Sequence, residues 1–107
     1  IDSSRHFLPI RAIKRIIDAM SWVKLNVLHW HLIDDQAFPV QIHSVATMWD
    51  GSFSLQERYT AEEHAYTFIV VDVEEIVEYA KARGVHVVPE MDVPGHASSW
   101  CIGGRIE

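Results

Sequence analysis

The sequence predicts an α/β fold with parallel strands, and three observations indicate it. Two short apolar runs, residues 25–32 and 85–90, have the length and the flanking residues of buried strands. Apolar residues recur at helical spacing before the first run and again between the two runs. Polar residues follow each run directly, where the carboxyl ends of parallel strands would bring them to one edge of a sheet.

The first helix is predicted to start near Pro9, because the first turn of a helix does not need the N–H that proline lacks. Apolar residues then follow at intervals of three or four, with charged residues between them: Ile10, Ile13, Ile17 and Met20. The first strand is predicted over residues 25–32, between Lys24 and Asp34. An amphipathic helix therefore leads into a buried strand.

Residues 34–59 contain Pro39, Gly51 and several serines and are predicted to form a long loop, which in a compact domain is usually functional. A second helix is predicted over residues 72–83, where Asp72 and Glu75 resemble a capping box. It ends before Gly84, and the second strand follows over residues 85–90. This strand–loop–helix–strand order implies parallel strands joined by a right-handed crossover.

The composition limits the classes of function that the chain can have. The 107 residues are 49% hydrophobic and suit one globular domain or part of one. The net charge of −6 argues against nucleic acid or an anionic membrane as a partner, because phosphate binding needs clustered Lys and Arg. No apolar run approaches the roughly 18 residues of a membrane span, and Cys101 alone cannot form an internal disulfide. The start at Ile1, without Met or a signal-peptide pattern, predicts that the chain begins within a longer protein.

The polar clusters contain the candidate functional residues, and each also has a plainer explanation. Arg5 could grip vicinal hydroxyls or a carboxylate with its guanidinium, or it could be a solvated surface residue. His29 and His31 point to the same side of a strand and could bind a metal, although histidines packed in a barrel core are more common. Asp34 and Asp35 could be turn residues or line a pocket.

The third cluster, residues 90–96, begins at the last residue of the run 85–90. Glu90 and Asp92 share strand parity and could act as a carboxylate pair, or one of them could stabilise the sheet by hydrogen bonds. His96 follows the turn pair Pro94-Gly95 and could point into a cleft, where Asp34 would fix its tautomer. Taken singly, it is no more informative than a surface histidine.

At residues 2–9 (DSSRHFLP), 24–39 (KLNVLHWHLIDDQAFP) and 90–100 (EMDVPGHASSW) the sequence resembles the family 20 glycoside hydrolases, the β-N-acetylhexosaminidases. The resemblance implies a partial (β/α)8 TIM barrel, roughly the first three strands and two helices, with residues 1–107 forming one incomplete catalytic barrel. Residues 1–2 would lie at the end of its first strand, residues 25–31 on the second and residues 85–90 on the third.

The resemblance also implies an activity: removal of terminal β-linked N-acetylglucosamine or N-acetylgalactosamine from glycans, with retention of configuration. The sugar's own 2-acetamido oxygen attacks the anomeric carbon, an Asp orients the acetamido group, and a Glu protonates the leaving oxygen. No cofactor or metal is implied, and the family suggests a lysosomal, vacuolar or secreted location. Arg5 matches the arginine that binds sugar hydroxyls, and Asp34 and His96 match an Asp–His pair that tunes the acid Glu.

The chain departs from the family pattern, and the departures keep two other functions open. No Asp-Glu dipeptide occurs, so residues 1–107 alone are expected to be inactive. Residues 61–71 are longer than the family's usual link and residues 101–107 differ from its usual continuation, which we attribute to a gene-model error. The first alternative is an amidohydrolase-type barrel that binds metal through His29 and His31. The second is a non-catalytic remnant.

Overall fold

The computed structural model describes residues 1–42, 44 and 70–103. These form helix α1 (Ile10–Trp22), strand β1 (Val27–Ile33), helix α2 (Val70–Lys81), strand β2 (His86–Met91) and helix α3 (Ser98–Gly103). Strands β1 and β2 are parallel, with Val27 opposite His86 and His31 opposite Glu90. The predicted parallel α/β arrangement is therefore confirmed, whereas α3 was not anticipated.

The first residues of the chain lie along the other edge of β1. Asp2 pairs with His31 in the parallel sense. The His31 N–H donates to the Ile1 carbonyl over 2.9 Å, and the Ser3 N–H donates to the His31 carbonyl over 3.1 Å. Three parallel backbone segments thus lie side by side, in the order residues 1–3, β1, β2, and their carboxyl ends share one edge.

Most element boundaries differ from the sequence-based prediction by one or two residues, and the starts of β1 and α2 show why. The Leu25 N–H still bonds to the Met20 carbonyl over 2.9 Å, and Lys24 has a φ of 62°, so β1 starts at Val27 rather than at Leu25. Helix α2 begins at Val70, which places Asp72 inside the first turn rather than at the cap. Its carboxylate is still favourable there, because the amino end of a helix carries partial positive charge. Gly84, with a φ of 70°, follows this helix as predicted.

The hydrophobic core lies between the helices and one face of the sheet. Its members are fully or almost fully buried, and they come from α1, β1, α2 and the residue before β2: Ile13, Ile17, Met20, Leu28, Trp30, Leu32, Ile76, Ala80 and Val85. The Trp30 indole donates to the Ser3 hydroxyl over 2.8 Å, which satisfies its one polar atom and ties the first residues to β1. This core fixes the position of the edge where the polar side chains meet.

The opposite face of the sheet is open in the described part of the chain. Val27 and Val88 lie on this face and are 52% and 48% exposed. None of the described helices is long and apolar enough to cross a membrane. Residues 43, 45–69 and 104–107 lie outside the described residues, and so do most of the predicted long loop, most of the 61–71 segment and the end of the 101–107 segment.

We predict that the 107-residue chain, expressed alone, associates or stays loosely packed. Within the described residues β2 pairs on one side only, and a strand edge with unpaired N–H and C=O groups beside exposed valines recruits other chains. Light scattering after size-exclusion chromatography should show oligomers, and the sample should bind a hydrophobic dye. A monodisperse monomer that melts in one cooperative transition would contradict this prediction.

Candidate functional site

The polar residues that follow the strands come together at the carboxyl edge of the sheet, as the sequence predicted. Asp34 lies at their centre, in the loop after β1, and is only 1% exposed to solvent. Arg5 reaches it from the first residues of the chain, His31 from β1, and His96 from the loop after β2. Three separate stretches of chain thus contribute to one cluster.

Both oxygens of Asp34 are used. Its Oδ2 forms an ion pair with Arg5 Nη2 at 2.6 Å and lies 2.7 Å from His31 Nε2. Its Oδ1 lies 3.2 Å from His96 Nδ1 and accepts from the backbone N–H of Asp35 over 2.6 Å. A buried carboxylate is costly unless other groups replace its lost water, and here two imidazoles, one backbone N–H and the Arg5 charge do so.

These donors also settle the charge of Asp34. Burial alone would raise the pKa of this carboxyl, but the Asp35 N–H, the His31 and His96 rings and the Arg5 charge together lower its pKa to about 2. Asp34 is therefore an anion across the physiological pH range. It can orient and stabilise positive or proton-donating groups, but it cannot itself serve as a proton donor near neutral pH.

The loop that carries Asp34 is held from two sides. The Ser99 hydroxyl of α3 donates to the Asp34 carbonyl over 2.6 Å, and the Asp34 N–H donates to the Ala37 carbonyl over 3.2 Å. The Ala37 carbonyl also accepts from the Ser4 hydroxyl over 2.9 Å. Asp35 Oδ1 accepts from the Ser98 N–H at the start of α3 over 2.9 Å. The sequence signal for this support is weak, since short-range patterns do not reveal which loop a serine will reach.

Arg5 is anchored and yet still presented to solvent. Its Nη1 lies 2.5 Å from Asp2 Oδ2, while Asp2 Oδ1 accepts from the backbone N–H groups of Ser4 and Arg5 over 2.9 and 3.0 Å. The side chain of Arg5 remains 42% exposed. Two carboxylates therefore orient the planar guanidinium, and its exposed part can still donate to another molecule.

His96 reaches Asp34 by means of an unusual backbone conformation. Its φ is 56°, in the left-handed region that non-glycine residues seldom adopt, and it follows the Pro94-Gly95 turn. Such a conformation costs about 1–3 kcal/mol and persists where the surroundings determine it. The His96 side chain is 57% exposed, and within residues 1–42, 44 and 70–103 its Nε2 has no hydrogen-bond partner. The ring is thus fixed at one nitrogen and open at the other.

The two histidines of β1 meet on a carboxylate of β2. His31 Nδ1 lies 2.6 Å from Glu90 Oε1, and His29 Nε2 contacts Glu90 Oε2. Glu90 was predicted to pair with Asp92 or to stabilise the sheet, and in the structure it bonds to these histidines. The in-register pairing of His31 with Glu90 creates this contact. The shared parity of the histidines was visible in the sequence, but the partner was not.

The same contacts bear on the alternative of a metal bound through His29 and His31. Donor atoms of His31, Asp34 and Asp92 lie within 4.8 Å of one another, as do those of Asp34, Asp35 and His96. However, His31 Nε2 and Asp34 Oδ2 are in direct hydrogen-bond contact at 2.7 Å, and both nitrogens of His31 already face carboxylate oxygens. We therefore interpret the cluster as a hydrogen-bonded network and assign no metal ligand in it.

Comparison with known proteins identifies the family. The model of "Glycosyl hydrolase family 20, catalytic domain" matches residues 1–104. This chain belongs to glycosyl hydrolase family 20. The family 20 chain is 52% identical over 100 residues to beta-hexosaminidase 3 of Arabidopsis thaliana, covering 94% of this chain and 17% of that protein. It is 46% identical over 106 residues to the human beta-hexosaminidase subunit beta, covering 98% of this chain and 17% of the subunit.

Solved structures agree with this assignment. The family 20 chain superposes on the Flavobacterium johnsoniae chitobiase with a TM-score of 0.81 and 34% identity, covering 96% of this chain and 14% of that one. For the Streptomyces coelicolor beta-N-acetylhexosaminidase the TM-score is 0.77 and the identity 37%, covering 92% of this chain and 19% of that one. The chain thus spans less than a fifth of these relatives, and they are glycoside hydrolases rather than metal-dependent amidohydrolases.

Proposed function

We propose that this chain forms the first three strands of a β-N-acetylhexosaminidase barrel and supplies one side of its sugar pocket. The observation that carries the proposal is the convergence of Arg5 and His96 on the buried carboxylate of Asp34, in a chain of family 20. The order residues 1–3, β1, β2 supports this placement, because successive barrel strands lie side by side with their carboxyl ends at one face.

In this proposal Arg5 binds the terminal sugar. The substrate is an N-acetylglucosamine or N-acetylgalactosamine at the non-reducing end of a glycan. Asp2 and Asp34 hold the guanidinium plane, so its free N–H groups can donate to two neighbouring hydroxyls at once. A preset donor geometry reduces the entropy lost when the sugar binds. Arg5 therefore contributes affinity and orientation rather than proton transfer.

The Asp34–His96 pair supports the general acid. Asp34 is anionic and accepts from His96 Nδ1, which leaves Nε2 directed away from Asp34 and available to a carboxyl group elsewhere in the pocket. An imidazole beside a catalytic carboxyl can shift its pKa toward the working pH. The acid Glu, and the Asp that orients the acetamido group, would come from a later part of the barrel, since residues 1–107 contain no Asp-Glu dipeptide.

The reaction that follows is hydrolysis with retention. The acetamido oxygen of the sugar attacks the anomeric carbon, the acid Glu donates its proton to the leaving oxygen, and water then opens the cyclic intermediate. Within residues 1–107, Arg5 holds the sugar, and Asp34 and His96 set the state of the acid. The chain alone is therefore expected to lack turnover.

A hybrid enzyme tests the proposal, with residues 1–104 replacing the matching segment of the Arabidopsis beta-hexosaminidase 3. The host supplies the remaining strands, so a chain that builds one side of the pocket should restore hydrolysis of an aryl β-N-acetylglucosaminide. Residues 1–107 alone, assayed in parallel, should show none. A hybrid that folds but gives no turnover would overturn the proposal and favour the non-catalytic remnant.

In the hybrid, Arg5→Lys should lower kcat/KM about 10-fold or more. Lysine keeps the charge but loses the planar group that holds two hydroxyls, and a charged hydrogen bond contributes about 1.5–3 kcal/mol. Arg11→Lys on the exposed face of α1 is the matched control and should leave kcat/KM unchanged. Equal values for the two variants would show that Arg5 does not contact the sugar.

Asp34→Asn and His96→Ala should each lower kcat in the hybrid, and the double variant should be little worse than the more damaging single one. The two residues act as one unit through the Nδ1–Oδ1 contact, so removing either disables both. The measurement is a double-mutant cycle on kcat. Losses that simply multiply would show that the two residues act separately.

A further inference from the structure

We infer that His31 is a positioning residue that works as a bridging imidazolium, donating to Asp34 and Glu90 at the same time and holding Asp34 in the orientation that Arg5 and His96 require. The inference rests on the proposed function, because it concerns the same pocket. It adds a residue of β1 to which the family resemblance gave no role.

Hydrogen-bond geometry requires the extra proton. His31 Nε2 lies 2.7 Å from Asp34 Oδ2, and His31 Nδ1 lies 2.6 Å from Glu90 Oε1. A neutral imidazole has one N–H, so it can donate to only one of these oxygens. The other nitrogen would then direct its lone pair at a carboxylate oxygen, which is repulsive. Both short contacts are favourable together only if the ring carries two N–H groups or if one carboxyl group is protonated.

The surrounding charges place the proton on the ring. His31 contacts Asp34, in the loop after β1, and Glu90, in β2; Asp2, in the first residues, acts on it through space, and Asp92, in the loop after β2, has a ligand atom within 4.8 Å of it. The remaining charged or titratable groups of the cluster contact these carboxylates rather than His31: Arg5, Asp35 and His96 contact Asp34, and His29 contacts Glu90. Besides His31, the cluster thus contains five carboxylates, one guanidinium and two imidazoles. An imidazolium is favoured in such a setting, and protonation of Asp34 is opposed by the Arg5 guanidinium beside Oδ2 and by the Asp35 N–H that donates to Oδ1.

The pKa directions agree with this geometry. Burial disfavours the charged ring of His31, but the hydrogen bonds to Asp34 and Glu90 outweigh it and raise the pKa of His31 above its ordinary 6.5. The bond to His31 is the main cause that lowers the pKa of Glu90, with His29 adding to it. The bridge therefore joins two anions through one cation.

The bridge has a consequence for the pocket. Asp34 Oδ2 is shared by His31 and Arg5, while Oδ1 is shared by His96 and the Asp35 N–H. If His31 loses its proton, one of its two bonds is lost and the Asp34 carboxylate can rotate. Arg5 and His96 would then lose a fixed partner together, although neither touches His31 directly. His31 acts through Asp34, so it is a positioning residue rather than a catalytic one.

The sign of the pH dependence follows from the raised pKa. A group whose pKa is higher in the folded state contributes stability that is fully present below its unfolded value of about 6.5. That contribution is lost as the pH rises through the folded-state pKa. The melting temperature should therefore fall on the alkaline side of about pH 6.5 for this reason, and activity should fall over the same range.

The test is the pH dependence of the hybrid enzyme's melting temperature and kcat, compared with two variants. His31→Gln removes the titrating ring, so the fall in melting temperature above about pH 6.5 should disappear. It should also lower kcat about 10-fold or more near the pH optimum. His86→Gln makes the same substitution on the same sheet face, away from the cluster. It should retain the fall and the kcat of the parent hybrid. An alkaline fall in His31→Gln at the same midpoint as in the parent would overturn the inference.

A second variant covers the case in which His31→Gln does not fold. Glu90→Gln keeps an oxygen that can accept from Nδ1 but removes the anion that favours the imidazolium. The alkaline midpoint of the melting temperature and of kcat should move to lower pH. An unmoved midpoint would also overturn the inference. A hybrid that folds but is inactive would defeat the proposed function alone, because the melting curves would still report on His31.

Discussion

The cluster depends on one constraint: the carboxylate of Asp34 is buried and charged. A charge removed from water must be compensated by donors with good geometry, or the fold pays several kcal/mol. The compensation comes from Arg5, His31, His96 and the Asp35 N–H. Because these groups belong to three stretches of chain, the need to satisfy one carboxylate ties the loops after both strands to the first residues of the sequence.

Strand register sets which residues can take part. In the parallel pairing of β1 with β2, His31 stands opposite Glu90, and both lie on the face away from the helices. A slip of one residue would turn every side chain of a strand to the other face and would separate this pair. The buried Leu28 and Trp30 oppose such a slip, since it would expose them. Burial on the apolar face of the sheet therefore fixes the register that places His31 opposite Glu90 on the polar face.

The strained backbone at His96 lies next to hydrogen bonds that connect the loops after β1 and β2. The left-handed backbone of His96 is unfavourable by itself, and it is compatible with the fold because α3 is attached to the loop after β1 through Ser98 and Ser99. Those bonds keep the two loops together while the His96 ring reaches Asp34. The arrangement explains how a histidine that is more than half exposed can hold a fixed orientation. It also leaves the outer nitrogen of His96 directed away from its partner.

The sequence by itself determined the first two helices, the two strands and the edge where the candidate site lies. The periodicity of Ile13, Ile17 and Met20, and the two apolar runs that end in polar clusters, are local patterns that report directly on burial. The motifs around Arg5, Asp34 and His96 determined the family. The tertiary structure decided the limits of β1, the presence of α3 and the contact of His31 with both Asp34 and Glu90. Those features depend on strand register, on hydrogen bonds between loops and on charges that are far apart in sequence. Local sequence patterns cannot predict them, because such patterns do not show which distant residues come into contact.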